Sequence, residues 1–335
     1  MSRRNRIAAS GLVLALLAGA APRALAAEAE AGVDVEAVIV TAAKREQNVQ
    51  DVPISMNVTS QKQLERFNTA DMKGLSMTVP SMVVLRTNSV NTITLRGFGS
   101  GPNNPATDQT VALYNDGVFA GRARQFMAPY FDVARIEILR GPQGALIGKN
   151  TAAGAISVVS NQPTRSFEGG ATGSYLFDRE GVDVYGYLSG PITDTLRARV
   201  AVKFINDNGW VRNTATGHKD PRQDFFNARG ILTWDAAENV EVTAKFQYDD
   251  DRVDGRAMAG FPSNLTKDQA VKLVKTTSGL LGQTDHDYQK AYHGAITTTV
   301  GLGDLTLVSV TGYEEFKSDS WAAASHADPI TFDTQ

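Results

Sequence analysis

Two stretches of this chain alternate apolar and polar residues one by one. Leu196, Ala198, Val200, Val202 and Phe204 share one face of an extended backbone, with Arg197, Arg199 and Lys203 on the other. Val240, Val242, Ala244, Phe246 and Tyr248 likewise oppose Glu241, Thr243, Lys245 and Gln247. A period of two belongs to β-strands with one face in lipid or a core and the other against water. Similar, less clean runs occupy residues 169–176, 182–188, 225–234, 289–300 and 306–314, giving about seven strands of the length that crosses a bilayer at a tilt. The links at 191–195, 235–239 and 301–304 are short, whereas 206–224 and 249–287 are long. Short turns at one end and long loops at the other mark an outer-membrane barrel rather than a soluble sandwich. The first link, 177–181, is short where this pattern expects a long one. Trp234, beside a short turn, suits an aromatic girdle as well as ordinary packing.

The rest of the chain fits export. Arg3, Arg4 and Arg6 precede an apolar run over 8–21, and Ala24, Leu25 and Ala26 supply a small-residue cleavage site, so residues 1–26 read as a signal peptide. No later run approaches the roughly 20 apolar residues of a membrane helix, so any crossing is made by strands. The 335 residues contain no cysteine and carry a formal net charge of -3, which excludes a disulfide scaffold and leaves partners undictated by charge. Residues 27–35 form an acidic, small-residue leader. Glu36, Ala37, Val38, Ile39, Val40, Thr41 and Ala42 then make a β-prone island ahead of the polar stretch 44–50. Such an island is either a strand offered to another protein's sheet or the first strand of the domain that follows.

Residues 51–163 have a compact α/β texture. Residues 54–58 alternate as a strand, and Ser60 with Gln63 forms a capping-box signature before a short helix around Leu64. A second helix is predicted over 72–77, with strands at 82–85, 92–95, 111–114 and 135–139 and a turn at Asn115, Asp116 and Gly117. The run 132–159 is the most distinctive. Arg135-Ile136-Glu137, Leu139 through Gly144, Gly148, Asn150 and Gly154-Ala155-Ile156 combine β-branched residues with tight glycine turns. This pattern resembles the end of the plug domain of TonB-dependent outer-membrane receptors, with Ala153 where a second glycine is commoner.

The resemblance extends from about residue 36 to 164, with a barrel start beyond. It implies an α+β plug domain (51–163) inside a transmembrane antiparallel β-barrel whose first seven strands occupy 164–335. An odd, open sheet leaves unpaired edges in lipid at several kcal/mol per group. The family's barrel has about 22 strands, so the chain is expected to be the N-terminal part of a longer receptor. The leader 27–50 then carries a TonB box at residues 36–42, the partner being TonB through strand addition. Arg96 and Arg140, with Glu137, match the plug residues that lock plug to barrel, and the barrel glutamates facing the two arginines are expected beyond Gln335. Plug loops at 86–89, 99–109 and 121–127 offer Arg86, Asn88, Asn103, Asn104, Gln109, Arg122, Arg124 and Phe126 to an external ligand, the arginines suiting an anionic group. For each of these a role in the loop's own structure is the rival reading.

Catalysis finds no support. Residues 144–150 approach a phosphate loop, but only three residues separate Gly144 from Gly148, and Asn150 follows Lys149 where Ser or Thr is needed. The four histidines, His218, His286, His293 and His326, lack ligand spacing and read as solvated loop or barrel positions. Asp249, Asp250 and Asp251 read as a solvated acidic loop, without the spaced ligands of a calcium site. No metal, cofactor or nucleic-acid partner is implied, and the protein is expected to be a monomer in outer-membrane lipid. The resemblance implies energised import of a ferric siderophore, with cobalamin, oligosaccharides and aromatic compounds as alternatives and a non-functional truncated receptor as another. A signalling receptor would carry about 80 further folded residues before the box. A passive porin would need neither plug nor box, and a periplasmic enzyme would need a nucleophile, base or metal.

Overall fold

The computed structural model describes residues 39–40, 47–48, 54–86, 91–99, 108–145, 147–212, 219–255, 286–323 and 329–330. Two short strands, β1 (Ile39–Val40) and β2 (Gln47–Asn48), pair antiparallel in a small sheet of their own. An α+β domain follows: β3 (Met56–Ser60), α1 (Gln61–Arg66), α2 (Met72–Thr78), β4 (Met82–Arg86), β5 (Asn91–Leu95), β6 (Phe98–Gly99), β7 (Val111–Asn115), β8 (Val118–Ala120), a 3-10 turn at Ala123–Phe126, β9 (Val133–Arg140) and β10 (Gly154–Ser160). Its main sheet runs β3-β9-β10-β7-β8, parallel only between β10 and β7, with β4-β5-β6 as a separate sheet.

Local chemistry explains these elements. Ser60 Oγ accepts from Gln63 N while Gln63 Oε1 accepts from Ser60 N, closing the expected capping box on α1. Asp71 caps α2 by accepting from Gly74 N at 2.7 Å. Met72, Leu75, Ile136, Ile138 and Ile156 are fully buried and form the centre of the domain's core. Gly154 opens β10 at φ +148°, where an added Cβ would run into the carbonyl of Leu139, so glycine is required there. The neighbouring Ala153 joins the core, which is why it tolerates a side chain.

The second half is an antiparallel wall of long strands: β11 (Glu168–Leu176), β12 (Gly181–Pro191), β13 (Leu196–Asp207), β16 (Arg222–Ala237), β17 (Val240–Asp254), β18 (His286–Leu302) and β19 (Leu305–Ala323), joined at the end by β20 (Pro329–Ile330). A small hairpin, β14 (Val211–Arg212) with β15 (Lys219–Asp220), lies between β13 and β16. The seven long strands are those read from the sequence, but several run further toward the long links. The acidic run is corrected accordingly: Asp249, Asp250 and Asp251 lie within β17, not in a loop. Asp249 and Asp251 are buried on the inner face while Asp250 turns outward. Strand ends that are polar on both faces carry no hydrophobic alternation, so the period-two signal fades before the strand does.

The wall is apolar outside and polar inside. Val200, Val202 and Phe204 are exposed on the outer face, whereas Arg199 and Lys203 are buried on the inner one. That inversion of a soluble protein's pattern is what a lipid-facing barrel wall requires. Trp234 is exposed on the same outer face, beside the turn into β17. Among the described residues no helix is long and apolar enough to cross a membrane.

Candidate functional site

The functional geometry lies where the α+β domain meets the inner face of the wall. Asp132 stands at φ +51° immediately before β9. Arg199 on β13 grips its carboxylate with Nε at 2.9 and 3.1 Å and Nη2 at 2.5 Å. Tyr185 Oη donates to the same carboxylate at 3.0 Å, and Asn161 Nδ2 does so from within the domain. Arg229 on β16 donates to the carbonyls of Asp132 and Phe131 and lies over the Phe131 ring, 4.4 Å from its centroid. Burial alone would raise the Asp132 carboxyl, but the hydrogen bonds from Arg199 and Asn161 and the charges of Arg199 and Arg229 hold it below the ordinary range.

A second contact is made by the Asn115-Asp116-Gly117 turn. Lys245 Nζ on β17 donates to Asp116 Oδ2 at 2.5 Å and to Asn115 Oδ1 at 2.7 Å. Ser160 holds the same carboxylate through its backbone N–H and its hydroxyl, each at 2.7 Å. Against the opposing effect of burial, Lys245, Arg229 and the Ser160 bonds bring the Asp116 carboxyl down to about 2. The hairpin can come this close because β19 carries Gly312 where it passes Val118; an added Cβ there would overlap the valine methyls.

A third contact sits nearer the long links. Arg124 Nη1 donates to Ser318 Oγ at 2.7 Å and Ser320 Oγ at 3.2 Å, with Nη2 3.7 Å from Asp287. Gln125 Nε2 reaches Glu314 at 3.5 Å. Glu314 lies beside His293 Nδ1, and His293 Nε2 lies 2.9 Å from Asp249. His293 is thus buried in a charged network on the inner face, and the solvated reading of it is corrected.

The sequence-predicted residues fall as follows. Ile39 and Val40 pair with Asn48 and Gln47; Glu36, Ala37, Val38, Thr41 and Ala42 lie outside the described residues, as do Asn88, Asn103 and Asn104. Arg86 ends β4, and Gln109 is half-buried just before β7. Within 121–127, Arg122 is exposed, Arg124 is turned to the wall, and Phe126 is packed into the domain core. Glu137 is fully buried and accepts from Arg135 Nε at 2.7 Å inside the domain. Arg96 is exposed at φ +52°, donates to Ser55 Oγ, and has Nη1 3.8 Å from where a Gly141 Cβ would stand. The turns bearing Arg96 and Arg140 are therefore side by side. Arg140 Nε is buried without a hydrogen-bond partner among the described residues.

Sequence reasoning missed Asp116, Asp132, Arg229 and Lys245 as a docking set. One signal was available: basic residues at alternate, inward positions of strands whose other face is apolar. No spacing rule links Asp116 to Lys245, which lie 129 residues apart.

Residues 48–155 match the family model described as the TonB-dependent Receptor Plug Domain. The chain is 31% identical over 226 residues to the pesticin receptor of Yersinia pestis, covering 66% of this chain and 32% of that protein. It is 25% identical over 232 residues to the ferripyoverdine receptor of Pseudomonas aeruginosa, covering 67% and 26%. Among solved structures, the ferric yersiniabactin uptake receptor FyuA from Yersinia pestis superposes with a TM-score of 0.66 at 21% identity, over 80% of this chain and 42% of that one. The ferripyoverdine receptor of Pseudomonas aeruginosa bound to ferripyoverdine gives 0.67 at 14%, over 87% and 38%. The matched stretches thus span between about a quarter and a third of these curated relatives.

Proposed function

Because this chain belongs to the TonB-dependent receptors of the bacterial outer membrane, we propose that the receptor whose plug and first wall strands it supplies imports a ferric siderophore, drawing energy from TonB. The observation that carries this reading is the seating of the plug on the wall through Asp132–Arg199, Asp116–Lys245 and Arg124–Asp287. A passive pore has no use for a domain fitted into its lumen by buried charge pairs. A plug that must be moved calls for an energised partner, and residues 36–42 are the segment we assign to TonB. Relatives described as receptors for ferrioxamine and ferripyoverdine support iron chelates as the ligand class.

In this cycle the ligand binds outside, against plug loops that include Arg122 and residues 99–109, and favours a plug state in which the box is released. TonB adds a strand to the box and pulls. Ligand must bind the two plug states differently, since only differential affinity can carry the signal across. Arg96 and Arg140 lock the other side of the plug to later wall strands. The test is deletion of residues 36–42 from the complete receptor, with ferrioxamine B, ferric yersiniabactin and ferripyoverdine labelled with radioactive iron as probes. Surface binding of at least one chelate should persist while its uptake falls to the level of protonophore-treated cells. Undiminished uptake would overturn the energised reading, and binding of none of the chelates would overturn the ligand class.

A further inference from the structure

Three cations on neighbouring wall strands face the plug, and strand register fixes their spacing. Arg229 on β16 lies opposite Ala201 on β13 and Gln247 on β17. Arg199 and Lys245 stand two residues from those partners on the same inner face, so each is a diagonal neighbour of Arg229 at about 7–8 Å. Ile231, opposite both Arg199 and Lys245, lies between these two, on the side of the triangle that faces Arg229.

Their compensation is supplied largely by the plug. Lys245 donates to Asp116 and Asn115, both plug residues, and Arg229 donates to two plug carbonyls and to the neutral Gln247. Of the three, Arg199 also bonds a wall carboxylate, Glu168, at 2.9 Å, and Asp249, higher on β17, acts on Lys245 through space. The plug aspartates are tied to their own domain by Ser160 and Asn161, so they travel with it. Once the plug moves, the wall keeps three cations against Glu168 and the more distant Asp249, in a confined lumen with low-dielectric walls. Such a patch attracts anions, because a cleft lined by one sign of charge between low-dielectric walls focuses the field and concentrates counter-ions.

We propose that Arg199, Arg229 and Lys245 form an anion site inside the barrel, masked at rest by Asp116 and Asp132 and taken by the acidic groups of the ligand when the plug shifts. The ligand class is then a chelate bearing carboxylates or similar anionic groups, which two guanidiniums can hold by paired hydrogen bonds. The plug aspartates act as placeholders, and the ligand replaces them one charge for another. The inference rests on the importer reading and narrows it to anionic chelates.

The test uses the complete receptor in detergent with Ile231→Cys as a reporter, the 335 residues having no cysteine of their own. Urea is raised until N-ethylmaleimide reacts while the barrel keeps its folded mobility in unheated gels. Labelling rates are then compared for an anionic sulfonatoethyl and a cationic trimethylammonioethyl methanethiosulfonate. Relative to a free thiol, the anionic reagent should be favoured by about tenfold, and citrate should slow its reaction. The paired substitution of Lys245→Gln with Asp116→Asn should remove most of both effects. A free-thiol ratio in the parent protein, or one the paired variant leaves unchanged, would overturn the site. So would a reporter that stays unreactive until the barrel itself unfolds. Iron uptake is measured separately: uptake with no anion preference sinks the site alone, whereas anion preference without uptake sinks the importer reading.

Discussion

Asp132 and Arg199 face one another across the junction of plug and wall, 67 positions apart in sequence and almost wholly shielded from water. Removing one member of such a pair strands the other charge, at about 3–5 kcal/mol, while removing both together costs far less. Arg199→Met should therefore release the plug at markedly lower urea than the parent, and adding Asp132→Asn, which removes the charge and tolerates the left-handed backbone there, should restore part of the loss. Limited proteolysis of the plug in outer-membrane vesicles reads the difference; equal release in the single and double variants would refute the coupling.

The Asp116 carboxyl predicts how docking responds to acid. Its value in the folded protein is depressed from an ordinary 3.8 to about 2. The stabilisation is therefore complete above about pH 4 and is lost as pH falls toward 2. Plug protection from hydrogen exchange should drop across that window, and Asp116→Asn should flatten the part due to this residue. An undiminished acid transition in the variant would mean that other carboxylates control it.

Gly312 sets how closely the plug hairpin approaches β19. Gly312→Ala should push Val118 away and weaken docking by about 1–3 kcal/mol, the usual scale for overpacking. Val118→Ala on the same background should recover most of it, measured as the urea midpoint for plug release. No recovery would place the strain elsewhere.

Arg140 predicts partners in the wall beyond the strands described. Its buried Nε lacks a hydrogen-bond partner among the described residues, and such a group is paired in a complete structure. In the whole receptor, Arg140→Cys should be joined by a short bismaleimide crosslinker to cysteines placed at inward-facing glutamates of later strands, the backbones of an arginine–glutamate pair standing too far apart for a direct disulfide. Failure at every such position would argue against the lock.

How much of this was legible in the sequence depended on which physical signal each residue carried. The alternation from Leu196 to Phe204 announces a two-faced strand because lipid and lumen impose opposite demands on successive side chains. Gly154 was visible as part of a motif, and its steric reason emerged only with the Leu139 carbonyl in place. Asp249 and Asp251 were misread because three consecutive acids look solvated, and nothing local says that alternate members turn inward to Asn227 and His293. Lys245 and Asp116 form a site only when a turn of one domain meets a strand of another, a relation that no local period encodes.

The inner wall changes sign with height. On β17, Lys245 and Asp249 share a face four residues, or about 13 Å, apart, and Arg124 meets Asp287 higher still. Slide the plug toward the long links as a rigid body and Asp116 arrives beside Asp249; slide it the other way and Asp116 descends toward Glu241, four residues from Lys245 on the same face and opposite Asp235. A piston stroke meets like charges in both directions. The inexpensive way out is to lose shape before losing place, so a pulling force would unravel this plug strand by strand rather than draw it out like a cork.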